Sequence, residues 1–350
     1  MTVADTYAVL AERLGLPDSA RLRKLLEHLM TPEQSRIVVE LPAPPEEIAA
    51  KLNMEVATVK RELDRLYRRG VVFPRNFETV EGCRFARSLM QLHDASQAAL
   101  RLDTKRHKDL FALWEDFATN EWDEHRMKQV EGLETPPTRI VPAYKAIQDM
   151  PGILPHEDVR ELLAAADLIA VVSCTCRQRK EATGNPCARS HDAVCLQFNR
   201  GAEYALWRGT GSRLTLDEAL EMVDEVEEDG LVHTWANSST LKGNVMCNCC
   251  DDCCVAFQPM HRFDVPYTKA YAKSRYQVTV DADICTGCQV CVDRCPFYAI
   301  DMATVEGAKK LKARIDAEKC MGCGVCVIGC ADQAMFMKVV RPPEHIPAAK

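Results

Sequence analysis

The chain has 350 residues, 47% of them hydrophobic, and a formal net charge of −7. That length suffices for two or three domains, each with its own core, and the mild charge argues against a broad nucleic-acid or membrane-binding surface. The longest apolar run, Leu168 to Val172, is far short of a bilayer span.

The first residues carry no charged start followed by an apolar run, so the expectation is a cytoplasmic protein without a disulfide framework. In that setting clustered thiols point to metal. There are 18 cysteines: Cys83 alone lies in the first 173 residues, and the other seventeen fall between Cys174 and Cys330.

Residues 1–80 read as short helices followed by a β-wing. The first runs from about Ser19 to Met30, and Thr31-Pro32-Glu33 opens a second with proline in its first turn. Pro44 to Leu52 gives a third. Val56 to Arg69 gives a longer one, with Val59, Leu63 and Leu66 on one face and Gly70 as its stop. Val71 to Pro74 then reads as a strand. This pattern resembles a winged helix-turn-helix domain. Lys60, Arg61, Arg65, Arg68 and Arg69 would lie on its reading helix, yet residues 1–80 hold twelve basic and twelve acidic side chains. A phosphate-contacting domain carries a positive excess, so protein docking is the expectation and nucleic acid is disfavoured.

Residues 81–150 read as a helical segment and linker, with Trp114, Phe117 and Trp122 as core and Pro136-Pro137 and Pro142 as breaks. Residues 151–262 read as a cysteine-rich α/β domain. His156 to Asp167 is helical, and Leu168 to Val172 a buried strand. Thr215-Leu216-Asp217-Glu218 is a capping box opening a helix that Gly230 ends, and Leu231 to Thr234 is a second strand.

From 263 to 350 a basic-aromatic connector leads into a pseudo-repeat. Cys285, Cys288, Cys291 and Cys295 form one C-x2-C-x2-C-x3-C run; Cys320, Cys323, Cys326 and Cys330 form the other. Eight cysteines in two duplicated quartets fit zinc poorly. The stretch Tyr276 to Val340 resembles the two-cluster bacterial ferredoxins. The resemblance implies two [4Fe–4S] clusters, with the fourth cysteine of each run serving the other cluster. One cluster would take Cys285, Cys288, Cys291 and Cys330, and the other Cys320, Cys323, Cys326 and Cys295. Gly287, Gly322 and Gly324 would let the backbone approach inorganic sulfur. Flanking strands at 277–280, 299–302, 311–315 and 335–339 would form two hairpins related by a pseudo-two-fold.

Nine further cysteines form a second constellation: Cys174, Cys176, Cys187 and Cys195, then Cys247, Cys249, Cys250, Cys253 and Cys254. If the last run is helical, Cys247, Cys250 and Cys254 share one face, and Cys249 and Cys253 another. These nine suit one or two additional iron–sulfur clusters; zinc, redox-active thiols or buried thiols are the alternatives. The region resembles uncharacterised iron–sulfur proteins of anaerobic bacteria, with an S-C-x-C-R start and a C-x-C-C finish. Adjacent cysteines also occur in the CCG domains of heterodisulfide-reductase-type proteins, but Asp251 stands where those have glycine. Arg177, His191 and His233 are candidate cofactor-binding side chains, and Cys83 reads as a small buried residue.

The fold class expected is α+β and multidomain: a winged-helix-like N-terminus, a cysteine-rich α/β middle and a ferredoxin-like C-terminus. The function expected is electron transfer with a protein redox partner such as a flavoprotein or reductase subunit, in a hetero-complex or homo-oligomer without membrane insertion. The ferredoxin region holds eight acidic and seven basic residues, which suits a module fixed against a partner. No dinucleotide fingerprint or P-loop is present. The alternatives are an oxidoreductase with a catalytic cluster in the middle domain, and a redox-sensing DNA-binding regulator.

Overall fold

A computed structural model of the chain describes residues 3–98, 105–189 and 194–349. It divides into two compact units. The first comprises Met1–Asp123, Val172–Asp192 and Glu203–Ser212; the second comprises Glu124–Val171, Ala193–Ala202 and Arg213–Lys350. Among the described residues no helix is long and apolar enough to cross a membrane.

The first unit opens with α1 (Val3–Arg13) and α2 (Ala20–Leu29), the latter started by Ser19, whose hydroxyl accepts from the Leu22 N–H. A reciprocal Thr31–Gln34 capping box and Pro32 start α3 (Pro32–Val39). After α4 (Pro45–Leu52), α5 (Val56–Arg69) ends at Gly70 in the left-handed region. Then β1 (Val72–Phe73) and β2 (Arg84–Phe85) pair antiparallel. Leu25, Leu26, Ile37, Val38, Leu63 and Leu66 are buried between the helices. Cys83 is buried beside the hairpin, where loss of solvent pushes its thiol up to about 12.

Helices α6 (Leu89–Gln97) and α7 (Lys108–Phe117) add an aromatic core: Trp114 donates to Ser96 Oγ, and the Phe117 and Trp122 rings stack. In the same unit the helix Thr175–Ala182 begins just after Cys174.

The second unit carries a seven-stranded sheet. Its strands are β3 (Thr138–Val141), β4 (Ile169–Val172), β5 (Cys195–Phe198), β6 (Ser212–Leu214), β7 (Val232–Ala236), β8 (Val245–Cys249) and β9 (Tyr271–Ala272), in the order β6-β4-β5-β8-β7-β3-β9. The Thr215–Glu218 capping box opens the helix Leu216–Glu228, as its sequence signature predicts. Three expectations need correction. The proline-flanked stretch expected as a linker contains β3, because its prolines fall outside the four residues that pair. The helix expected over 156–167 is a 3-10 turn, Pro155–Glu157, followed by Val159–Ala164, since Asp158 caps the second piece and interrupts the first. The run from Cys247 starts as strand β8 and turns after Cys249, because it pairs with β5 and β7.

Four further strands, β10 (Tyr276–Val280), β11 (Ile300–Ala303), β12 (Lys312–Ile315) and β13 (Met335–Val339), complete the unit. They are not two hairpins each around its own cysteine run. β10 pairs with β13, first with last, and β11 pairs with β12. In each pair a strand preceding one run meets a strand following the other.

A buried ion pair anchors this region. Arg275 donates twice to Glu157, at 2.6 and 2.8 Å, and the Tyr276 hydroxyl lies 3.3 Å from the same carboxylate. Breaking a buried pair leaves one charge uncompensated, at a cost of about 3–5 kcal/mol. Arg275→Met should therefore lower the denaturation midpoint substantially. Combining it with Glu157→Leu should restore part of the loss, measured by urea unfolding under anaerobic conditions.

Candidate metal centre

The two cysteine runs are superposable by a shift of 35 residues, and the local structure repeats with the sequence. Cys285 and Cys320 donate their backbone N–H groups to Asp281 and Asp316. Asp281 N–H in turn donates to Ala334 O, and Asp316 N–H to Ala299 O, so each half is stitched to the other. Short helices follow at Val290–Asp293 and Val325–Ile328, preceded by left-handed Gln289 and Gly324. The fourth cysteines also match: Ala299 N–H donates to Cys295 Sγ at 3.4 Å, and Ala334 N–H to Cys330 Sγ at 3.3 Å.

The glycines also have a packing role. Gly287 and Gly322 have φ of +74° and +71°. A Cβ on Gly287 would stand 2.4 Å from Leu311 O, and one on Gly322 would stand 2.2 Å from Tyr276 O. Each run is thus pressed against the strand start of the opposite half, where only glycine fits.

This exchange decides which thiols meet. Cys285, Cys288, Cys291 and Cys330 line one pocket, with Gly287, Met302 and Met335 among its walls. Burial first, then the neighbouring thiols of Cys288, Cys285 and Cys330, push the Cys291 thiol up to about 11. Burial likewise raises Cys326, and the groups acting on it next are Cys323, Cys295 and Cys320. Seven of the eight thiols are buried or half-buried; Cys288 is exposed. One four-thiol pocket with apolar walls, a second set of four buried thiols, and N–H groups directed at the sulfurs of Cys295 and Cys330 fit the donor chemistry of iron–sulfur clusters.

Antiparallel pairing builds a separate thiol group. Cys247 and Cys249 lie two apart on β8 and so face one side of the sheet. Between them Asn248 faces the other side, held by His233 Nδ1 at 2.6 Å and by its own donation to Val194 O. Cys254 returns to Cys249 with 3.4 Å between sulfurs. Hydrogen bonds from Cys247 and Cys254, together with burial, hold the Cys249 thiol well above its ordinary value. On the far side of the turn the ligand atoms of Cys250, Asp252 and Cys253 lie within 4.8 Å of one another.

The other named candidates fall as follows. Cys174, Cys176 and Cys187 belong to the first unit, with Cys174 at the start of the helix Thr175–Ala182. Arg177 is buried on that helix. Its neighbours Arg179 and Lys180 pair with Glu115 at 2.9 and 2.6 Å. Burial alone would raise Glu115; the two cations outweigh it and keep the carboxyl below its usual range. His233 has both ring nitrogens against protein groups, since Glu227 Oε1 lies 3.3 Å from Nε2. It therefore holds strands together and offers no nitrogen to a cluster. His191 lies outside the described residues.

The sequence reading missed the aromatic side chains that pack beside these thiols. Phe257, Tyr267, Tyr271 and Phe297 form a contiguous set with centroid separations from 4.9 to 5.5 Å. The available signal was the aromatic content of the connector after residue 263.

Residues 277–331 match the 4Fe-4S dicluster domain family. No curated protein and no solved structure matches the chain. The C-terminal part is therefore an iron–sulfur domain of dicluster type, and it supports iron–sulfur electron transfer.

Gly322→Ala should expel the cluster held by the second run, because the new methyl group meets Tyr276 O and the Ser274 hydroxyl. Gly307→Ala also sits at positive φ but meets nothing within 4 Å. It should keep full iron content by colorimetric assay, whereas Gly322→Ala should lose about four irons per chain.

Proposed function

We infer that this chain is an electron-transfer protein whose second unit relays single electrons through two [4Fe–4S] clusters. One is held by Cys285, Cys288, Cys291 and Cys330, the other by Cys320, Cys323, Cys326 and Cys295. The observation that carries this reading is the exchange between halves, in strand pairing and in thiol grouping. Bound there, the clusters supply one-electron storage at potentials spanning roughly −700 to +450 mV, set by their surroundings.

Differences in exposure give the relay an outer and an inner end. The first pocket opens at Cys288, and the exposed apolar side chains Ile284, Val290 and Leu311 lie on the same run or on the strand start pressed against it. The four thiols of the other set are all buried. An external redox protein, such as a flavoprotein or reductase subunit, docks at the Cys288 side, and the second set lies deeper in the chain.

The five cations of α5 support protein docking over nucleic acid for the first unit. Lys60 pairs with Glu46, Arg61 and Arg65 with Glu62, Arg68 with Asp64, and Arg69 donates to Leu29 O. A helix reading a phosphate backbone would hold those charges outward and uncompensated.

Iron, acid-labile sulfide and zinc analysis of anaerobically purified protein tests the relay. At least about eight irons and eight sulfides per chain are expected, in a brown protein that bleaches on reduction. A colourless, zinc-loaded protein would refute the relay.

A further inference from the structure

We propose that Cys195, Cys247, Cys249 and Cys254 hold a third iron–sulfur cluster, placed next to the buried cluster of the dicluster domain. This deepens the relay reading and rests on it. The antiparallel β5–β8 register pairs Leu196 with Met246 and Gln197 with Val245. The Asn248-to-Val194 hydrogen bond keeps the same register beyond them. Cys195 therefore stands opposite Cys247, and directly opposed residues share a face with Cβ atoms about 5 Å apart. Cys249 is on that face by the two-residue period, and Cys254 reaches it across the turn. The register thus places Cys195, Cys247 and Cys249 on one side of the sheet, with Cys254 beside Cys249. His233 and Val194 anchor Asn248 on the opposite side and fix which way the cysteines point.

The surroundings are those of a redox centre within reach of another. Cys249 and Cys254 share one buried core with Cys285, Cys291, Cys295, Cys320, Cys323 and Cys326 of the dicluster domain. The aromatic set links the two stretches of chain that carry these thiols. Phe257, three residues after Cys254, meets Phe297, two residues after Cys295, at 5.5 Å between centroids. Tyr267 places its hydroxyl 3.4 Å from Phe257 O and 3.5 Å from Pro296 O, touching the backbone beside both groups. A purely structural zinc would gain nothing from that closeness, whereas tunnelling rates rise steeply as redox centres approach.

The test compares anaerobically purified full-length protein with a Cys249→Ser/Cys254→Ser variant. The wild type should hold at least about twelve irons, and the variant should lose about four irons and four sulfides while retaining the EPR signals of the dicluster domain. Unchanged iron content with unchanged spectra, or loss of one zinc in place of four irons, would overturn the proposal. Should the double variant fail to fold, Cys195→Ser serves instead: an altered or missing third signal is expected, and identical spectra would overturn the assignment. If the wild type itself lacks the dicluster signals, it is the relay reading that fails.

Discussion

The second unit depends on one constraint: neither half of the dicluster domain is complete without the other. The strand leading into each cysteine run pairs with the strand leaving the other. Asp281 and Asp316 are each tied to the opposite half through Ala334 and Ala299. The glycines then close the gap, because a side chain at Gly287 or Gly322 would collide with the partner half. A peptide carrying one run could not bury its own thiols in this way. Bringing the two thiol sets together is a consequence of that interdependence, and it is the arrangement that the proposed one-electron relay requires.

The rest of the unit holds this assembly in place with buried polar groups. Arg294, just before Cys295, donates to Val325 O in the other half and to Glu227 O and Glu228 O at the end of a helix. The side chain of Glu227 in turn accepts from the Tyr144 and Lys145 N–H groups and lies against His233. Burial would raise that carboxyl, but these hydrogen bonds more than offset it and hold it below its ordinary value. Its contribution to stability is therefore full above the carboxylate range and fades as pH falls through it. One helix terminus thus links the dicluster domain, the 144–147 turn and the strand that orients the middle cysteines.

Some of this was legible in the sequence, and the reasons differ by element. The C-x2-C-x2-C-x3-C runs were readable because spacing dictates how few backbone conformations can wrap a cubane. The helix at Leu216–Glu228 was readable because its capping box is local chemistry. The strand at β8 was not, because Val245 to Cys249 alternates no clear apolar pattern and its conformation is imposed by pairing with β5 and β7. The same failure hid the face shared by Cys247 and Cys249. Strand order across the two halves was also invisible, since a pseudo-repeat is equally compatible with two local hairpins. The pairing of Arg179 and Lys180 with Glu115 was not legible, because that partner lies more than sixty residues away in the chain.

Low-temperature EPR of the fully reduced, anaerobically purified protein tests the central claim most directly. Spins lodged in the interlocked halves of the dicluster domain must feel each other, so a broadened spectrum with splitting from magnetic interaction is predicted. Two sharp, independent signals, or no paramagnetic species at all, would contradict the interlocked arrangement.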